Sequence, residues 1–299
     1  MAALAVAAWF APGSPSVPAA LGALALLVLV VPRRRSKADP ETGPVPPEVP
    51  ERCGAVRVEA RYAPAAGATM GGDLYDVVHT PFGVRAIIGD VTGHGATAVE
   101  LATDVLTAYR DLVRHEPGLP GIAERLDGYL AARIPQPTER FVTAALVQIP
   151  DGSSTAELLG CGHPSPLVLR GGQVRAVAGF HTALPLGLHD LADGWPLPSS
   201  IPFDQGDALL LYTDGATEAR NPQGDEYPLA ERVALLRSDD PCEFLDRLVA
   251  DLGTHTGGRP HDDVALLLLR KEQEDAPAPP RAAGRQSPQN APVRPASRK

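Results

Sequence analysis

Gly71-Gly72-Asp73-Leu74-Tyr75-Asp76-Val77-Val78-His79-Thr80-Pro81-Phe82-Gly83-Val84-Arg85-Ala86-Ile87-Ile88-Gly89-Asp90-Val91-Thr92-Gly93-His94-Gly95 is the segment around which the rest of this chain is organised. Leu74 to His79 and Val84 to Gly89 read as the two strands of a hairpin, interrupted by the turn-forming run Thr80-Pro81-Phe82-Gly83. A register symmetric about Pro81 and Phe82 sets Asp73 opposite Asp90. Two bare carboxylates that close repel, and the repulsion raises a pKa. A divalent cation removes the conflict. Oxygen ligands without a His/Cys cluster favour a hard ion, Mg2+ or Mn2+, over Zn2+. Gly71, Gly72, Gly93 and Gly95 flank the acids and let backbone approach a ligand closely, so a carbonyl next to Asp90 can complete a coordination shell.

Further along, two more acidic motifs sit at strand ends. Thr213-Asp214-Gly215 follows the apolar run Leu209-Leu210-Leu211-Tyr212, and His261-Asp262-Asp263 precedes Val264 to Leu269. Each motif alone also reads as an ordinary turn or cap. Ala96 to His115 has helical spacing, with Val99, Leu101, Ala102, Val105, Leu106, Tyr109, Leu112 and Val113 three and four apart. Ile122 to Arg133 and Pro241 to Leu252 are further helices, the first ended before Pro135. Val142 to Ile149, Thr155 to Leu159, Pro166 to Leu169, Ala208 to Tyr212 and Val264 to Leu269 read as strands. Strands, then a helical block, then strands again predict an α+β sandwich with antiparallel sheets.

Outside this middle the composition changes. The first 31 residues are almost wholly apolar, and Val17 to Val31 carries no charge. A helix over Val17 to Val31 reaches about 22 Å, short of the roughly 30 Å hydrocarbon core. Arg33, Arg34, Arg35 and Lys37 follow it. Positive charge after the apolar run, rather than before it, favours a retained anchor with the C-terminal side in the cytoplasm. The alternatives, a spurious upstream start or a leader that does not insert, leave the chain cytoplasmic. The expected organisation is an apolar segment at 1–32, a Pro-rich linker at 33–51, a globular domain at 52–271 and a disordered Pro/Ala/Arg-rich tail at 272–299.

The whole chain of 299 residues is 44% hydrophobic and carries a net charge of −9, which argues against nucleic acid as a partner. Its 3 cysteines, Cys53, Cys161 and Cys242, are far apart and make no CxxC pair, so neither a disulfide framework nor a zinc site is expected. Cys161 stands before Gly162-His163, not in an arginine-rich anion loop, which counts against a cysteine phosphatase.

From about Val56 to Arg270 the chain resembles the PPM-type serine/threonine protein phosphatases, in the branch of SpoIIE and RsbU. The likeness is carried by Arg61-Tyr62, Pro64-Ala65, Gly71-Gly72-Asp73-Leu74-Tyr75-Asp76 and Gly89-Asp90-Val91-Thr92-Gly93-His94-Gly95. Phe141-Val142-Thr143-Ala144, Gly162-His163-Pro164-Ser165-Pro166, Leu186-Gly187-Leu188 and Gly206-Asp207 continue it. Leu211-Tyr212-Thr213-Asp214-Gly215, Glu218-Ala219-Arg220 and Asp262-Asp263 complete the series. The resemblance implies two antiparallel sheets flanked by helices, with two Mn2+ or Mg2+ ions at one edge. It implies that Asp90 bridges both ions with help from the Val91 carbonyl, that Asp73 serves one ion, and that Asp214 and Asp262 serve the other. Asp263 is an outer-sphere or third-ion candidate. The implied reaction is hydrolysis of phosphoserine or phosphothreonine by a metal-activated water. The implied substrate is a phosphoprotein, with an anti-sigma-factor antagonist of a partner-switching pathway as the narrower target.

Three positions depart from the pattern. The eukaryotic type 2C enzymes have Asp-Gly-His-Gly, whereas here two residues separate Asp90 from Gly93-His94. His94 is a candidate proton donor, with a turn-fixing loop residue as the alternative. Ala265 stands where the branch usually has Thr, and Leu74 where an aromatic is frequent; neither removes a ligand. His163 reads as structural, with substrate contact as the alternative. Two other readings remain: a catalytically weak binding module on the same fold, and a small-molecule phosphoesterase, although no GxxxxGK[ST] loop is present.

Overall fold

A computed structural model describes residues 48–65, 71–134, 140–180, 182–191, 194–236, 238–260 and 262–272. The apolar segment 1–32, most of the linker and all but the first residue of the tail lie outside the described residues. No helix among the described residues is long and apolar enough to cross a membrane.

The hairpin forms as its sequence dictates. Strands β3 (Asp73–Thr80) and β4 (Gly83–Val91) pair antiparallel, and the register sets Asp73 against Asp90. The turn is held locally: the Thr80 hydroxyl donates to the Gly83 carbonyl (2.9 Å), and the Phe82 N–H donates to the Thr80 oxygen (3.1 Å). Gly83 has φ of 98°, and a Cβ there would lie 2.2 Å from the Ile149 carbonyl oxygen, so only glycine fits.

Around this hairpin two sheets assemble. The first runs β1 (Arg52–Cys53), β2 (Val56–Ala63), β12 (Val264–Lys271), β11 (Ala208–Tyr212), β7 (Leu167–Arg170) and β8 (Gln173–Ala176), in that spatial order. The second runs β10 (Ser199–Pro202), β6 (Thr155–Cys161), β5 (Val142–Ile149), β4 and β3. The short strand β9 (Thr182–Ala183) joins β6. This last pair is parallel, a departure from the antiparallel expectation; every other strand pair among the described residues is antiparallel.

Strand sequences such as Leu209-Leu210-Leu211 are apolar on both faces because both faces are covered. Leu209, Leu211, Ala265, Leu267 and Leu269 point between the sheets, where they meet Tyr75, Val77, Ile88, Ala145 and Val147. Leu210, Leu266 and Leu268 point outward against Phe244, Leu245, Leu248 and Leu252 of α5 (Pro241–His255). On the far side of the second sheet, Ile87, Leu146 and Leu159 pack against α1 (Ala96–Leu112) and α2 (Leu119–Ala131) through Val105, Tyr109, Ile122 and Leu126. The period-two alternation of the strands thus builds a helix–sheet–sheet–helix stack, the α+β sandwich expected from the sequence. Two short helices that the sequence reading did not anticipate, α3 (Asp214–Thr217) and α4 (Leu229–Leu235), lie in the connection after β11.

Arg85 on β4 is fully buried and fastens the helical layer to the sheet. Its guanidinium donates to the side chain of Gln148 (2.9 Å) on β5 and to the carbonyls of Val113 (2.8 Å), Glu116 and Pro117 (2.6 Å) in the connection between α1 and α2. A buried charge survives only when its donors are met, and here the chain wraps its carbonyls around the group.

Candidate metal centre

At the rim where both sheets end on the same side, the acids come together. Asp73 begins β3 and Asp90 is the penultimate residue of β4, and each is only 6% exposed. Glycine lets neighbouring chain close on them: a Cβ at Gly72 would lie 2.6 Å from the Val91 carbonyl oxygen and 3.1 Å from a carboxylate oxygen of Asp90. The Val91 N–H donates to the Gly72 carbonyl (3.1 Å), which ties the two strand ends.

The first sheet contributes from the opposite side. Asp214 opens α3 directly after β11, and Asp262 and Asp263 lead into β12. A Cβ at Gly215 would collide with the Asp263 carbonyl oxygen at 1.9 Å, and one at Gly71 with a carboxylate oxygen of Asp263 at 1.3 Å. The 262–263 loop is therefore wedged between Gly215 and Gly71, beside both Asp214 and Asp73. Asp263 accepts from the Ala65 N–H (2.9 Å), and the Asp263 N–H donates to the Asp262 side chain (3.0 Å).

Thr213 links the two sheets. Its side chain is fully buried; the hydroxyl donates to a carboxylate oxygen of Asp73 (2.8 Å) and accepts from the Ala265 N–H (2.9 Å) of β12. Sequence reading placed Thr213 in a motif but gave it no role, since its partner lies 140 residues away. Tyr62 on β2 is a second such residue: its phenolic oxygen accepts from the Gly71 N–H (2.7 Å). Burial first, and the charge of Asp263 second, push the Tyr62 pKa upward.

The electrostatics of the rim are strained in one direction. Burial pushes the carboxyl of Asp73 well above the usual carboxylate range; the charge of Asp90 adds to this, the Thr213 hydrogen bond opposes it, and Asp263 and Asp214 raise it further. That conflict is what a cation relieves. The donors are all oxygen, which suits Mn2+ or Mg2+. The acids share a rim without closing on a common point: among the described residues, no three Asp, Glu, His or Cys side chains yet surround a position that could hold an ion.

His94 lies exposed in the loop between β4 and α1. With Val91, Thr92, Gly93, Thr97, Ala98 and Arg140 it lines a small open recess at the end of β4. His163 is buried, its Nδ1 sharing a hydrogen bond with the Thr143 hydroxyl (3.0 Å). Its other ring nitrogen meets no well-formed hydrogen-bond partner among the described residues, and burial pushes its pKa down to about 3 against a smaller opposing contribution from the Tyr212 backbone. Thr143 is the ladder partner of Asp90, so His163 supports the strand beneath the acid.

Comparison with known proteins agrees with this architecture. Residues 80–272 match the family model described as Stage II sporulation protein E (SpoIIE). Stage II sporulation protein E of Bacillus subtilis (strain 168) is 22% identical over 219 residues, covering 72% of this chain but only 26% of the relative. The solved PP2C phosphatase domain and regulatory fragment of that protein superpose with a TM-score of 0.60 at 22% identity, over 72% of this chain and 63% of that one. The RsbU and RsbW domains of Rv1364c from Mycobacterium tuberculosis give 0.63 at 26% identity, over 77% of this chain and 63% of that one. The catalytic domain of the phosphatase PstP, solved with 2 manganese ions, gives 0.56 at 17% identity, over 73% of this chain and 99% of that one.

Proposed function

The chain belongs to the SpoIIE family, and from that premise we propose that it is a metal-dependent phosphatase that hydrolyses phosphoserine or phosphothreonine in a protein substrate. The observation that carries this reading is the buried pair Asp73 and Asp90, cross-strand partners whose like charges meet where Asp214 and Asp263 add two more. A fold gains nothing in stability from such a cluster without a counter-charge.

In this reading Asp73, Asp90 and the Val91 carbonyl hold a cation from the second sheet. Asp214 and Asp262 hold a partner ion from the first, and Asp263 supports them from outside. When bound, such ions supply an activated water and charge neutralisation at the phosphate. The chain's own part is placement. Thr213 fixes the rotamer of Asp73, the glycines at 71, 72 and 215 bring the strand ends within reach, and the hairpin register sets Asp73 against Asp90. Cys53 and Cys161 take no part: both are buried, and burial pushes both thiols up, away from the thiolate form.

The narrower target, a phosphorylated anti-sigma-factor antagonist, rests on the family resemblance. A catalytic unit bounded at 52 and 271, and its tethering at a membrane by residues 1–32, rest instead on composition: an apolar run to Val31 followed by Arg33, Arg34, Arg35 and Lys37. The test is phosphate release from a phosphoserine peptide by the full chain, with and without Mn2+. Release that depends on Mn2+ and is lost in Asp90→Asn and Asp214→Asn is the expected result. Equal hydrolysis by those variants, or hydrolysis of nucleotides in preference to phosphopeptide, would overturn it. Fractionation of the full chain tests the tether, which fails if the protein stays soluble in low salt.

A further inference from the structure

We propose that Arg140 is the binding residue for the phosphoryl group of the substrate, held at the mouth of the recess that opens beside Val91. This rests on the phosphatase reading above and adds to it a residue that no sequence motif singled out.

Three observations carry it. The first is position. Arg140 lines the recess with His94 and Thr97, and the wall nearest the acid rim is Val91, the residue that follows Asp90. The second is fixation. Three hydrogen bonds clamp the adjoining residue to the loop after β4: the Thr92 N–H and hydroxyl both donate to the Phe141 carbonyl (3.0 Å each), and the Phe141 N–H donates to the Thr92 oxygen (2.9 Å). Two residues on, Val142 exchanges both backbone hydrogen bonds with Leu186 (3.0 and 2.9 Å). The backbone directly after Arg140 is thus tied to two neighbouring segments, although the Arg140 side chain itself is exposed.

The third is charge. Among the described residues Arg140 is the only lysine or arginine in the recess lining, and no carboxylate pairs with it. Elsewhere the exposed arginines commonly hold carboxylates, as Arg110 holds Asp76 and Arg170 holds Asp207. A guanidinium that pairs with no carboxylate among the described residues, on a chain of net charge −9 and in a recess walled by the residue that follows Asp90, is suited to an anion from outside. A phosphate monoester approaching that rim meets repulsion from the acids. A guanidinium at the entrance offsets it and offers paired N–H donors in the geometry of phosphate oxygens.

The test has two arms on the full chain. In the first, Arg140→Ala and Arg140→Lys are compared with the unaltered chain in Mn2+-dependent hydrolysis of a phosphoserine peptide. Loss of one charge-assisted contact raises KM about tenfold for the alanine variant, with kcat within about twofold. Lysine, which keeps the charge without the fork, recovers part of the loss. In the second arm phenylglyoxal labels arginines and mass spectrometry reads the site. The phosphoserine peptide slows labelling of Arg140 in the unaltered chain, and the same peptide with plain serine does not.

An unchanged KM in Arg140→Ala, a fall confined to kcat, or equal labelling with both peptides overturns the assignment of Arg140. Absence of phosphate release from the unaltered chain, with Arg140 still shielded by the phosphopeptide alone, overturns the phosphatase reading and leaves the anion site standing.

Discussion

Acid will unfold this protein partly through His163, and the size of the effect follows from its surroundings. The ring is 4% exposed and shares a hydrogen bond with Thr143, and burial lowers its pKa from 6.5 to about 3. The unfolded chain therefore binds a proton in a range where the folded chain does not. Stability contributed by the neutral ring is intact above pH 6.5 and is lost as pH falls from there towards 3. Between pH 7 and pH 5 the loss comes to about 2 kcal/mol, most of one proton's worth of linkage. The assay is urea unfolding of the full chain at both pH values, followed by circular dichroism, alongside His163→Asn. Asparagine keeps a partner for the Thr143 hydroxyl but does not titrate in this range. The variant is less stable throughout, because the smaller side chain leaves a void. Its pH dependence between pH 7 and pH 5 is shallower than that of the unaltered chain by about 2 kcal/mol. Other titrating groups, Asp73 among them, are common to both proteins and cancel in the comparison. Parallel pH profiles for the two proteins would refute the reasoning, since the ring would then titrate alike folded and unfolded.

Thr213→Val strands the Ala265 N–H and strips Asp73 of its donor, so the melting curve shows a loss of about 1–3 kcal/mol, mostly recovered in Thr213→Ser. Arg85→Met leaves the carbonyls of Val113, Glu116 and Pro117 without their shared donor; chemical denaturation of that variant shows a loss of about 3–5 kcal/mol. Asp73→Asn has the opposite sign. The folded-state pKa of Asp73 is raised, so its ionised form costs stability as pH climbs above the ordinary carboxylate value. At neutral pH and without added metal the variant therefore melts higher than the unaltered chain by scanning calorimetry, while losing the upward shift that Mn2+ gives the unaltered protein.

What the sequence displayed and what it concealed divide by distance along the chain. The Asp73–Asp90 pairing was readable because a symmetric turn and two apolar runs lie within one short segment, and the ladder obeys local rules. The helix over Ala96–Leu112 was readable for the same reason, from apolar spacing alone. Strand β2 was overlooked although Val56 and Val58 alternate with Arg57 and Glu59, because charged residues at every second position hid the apolar face. The roles of Thr213 and Tyr62 are long-range contacts with no local signature: a buried threonine and a strand tyrosine look alike whether or not they touch an acid. Arg140 sits at the end of a segment whose preceding residues, 135–139, are not described, and nothing in its neighbours' composition marks it.

The hairpin turn at Pro81 and Phe82 lies at the opposite end of the ladder from the acids, yet it acts as their gauge. Adding or removing one residue there would slide β4 along β3 by a rung and turn every side chain of the strand to the other face. Asp90 would then look away from Asp73, Ile87 would turn from the helical layer to the space between the sheets, and Ile88 would turn the other way. Chemistry and core packing are metered by the same loop, so an insertion there that spares one cannot spare the other.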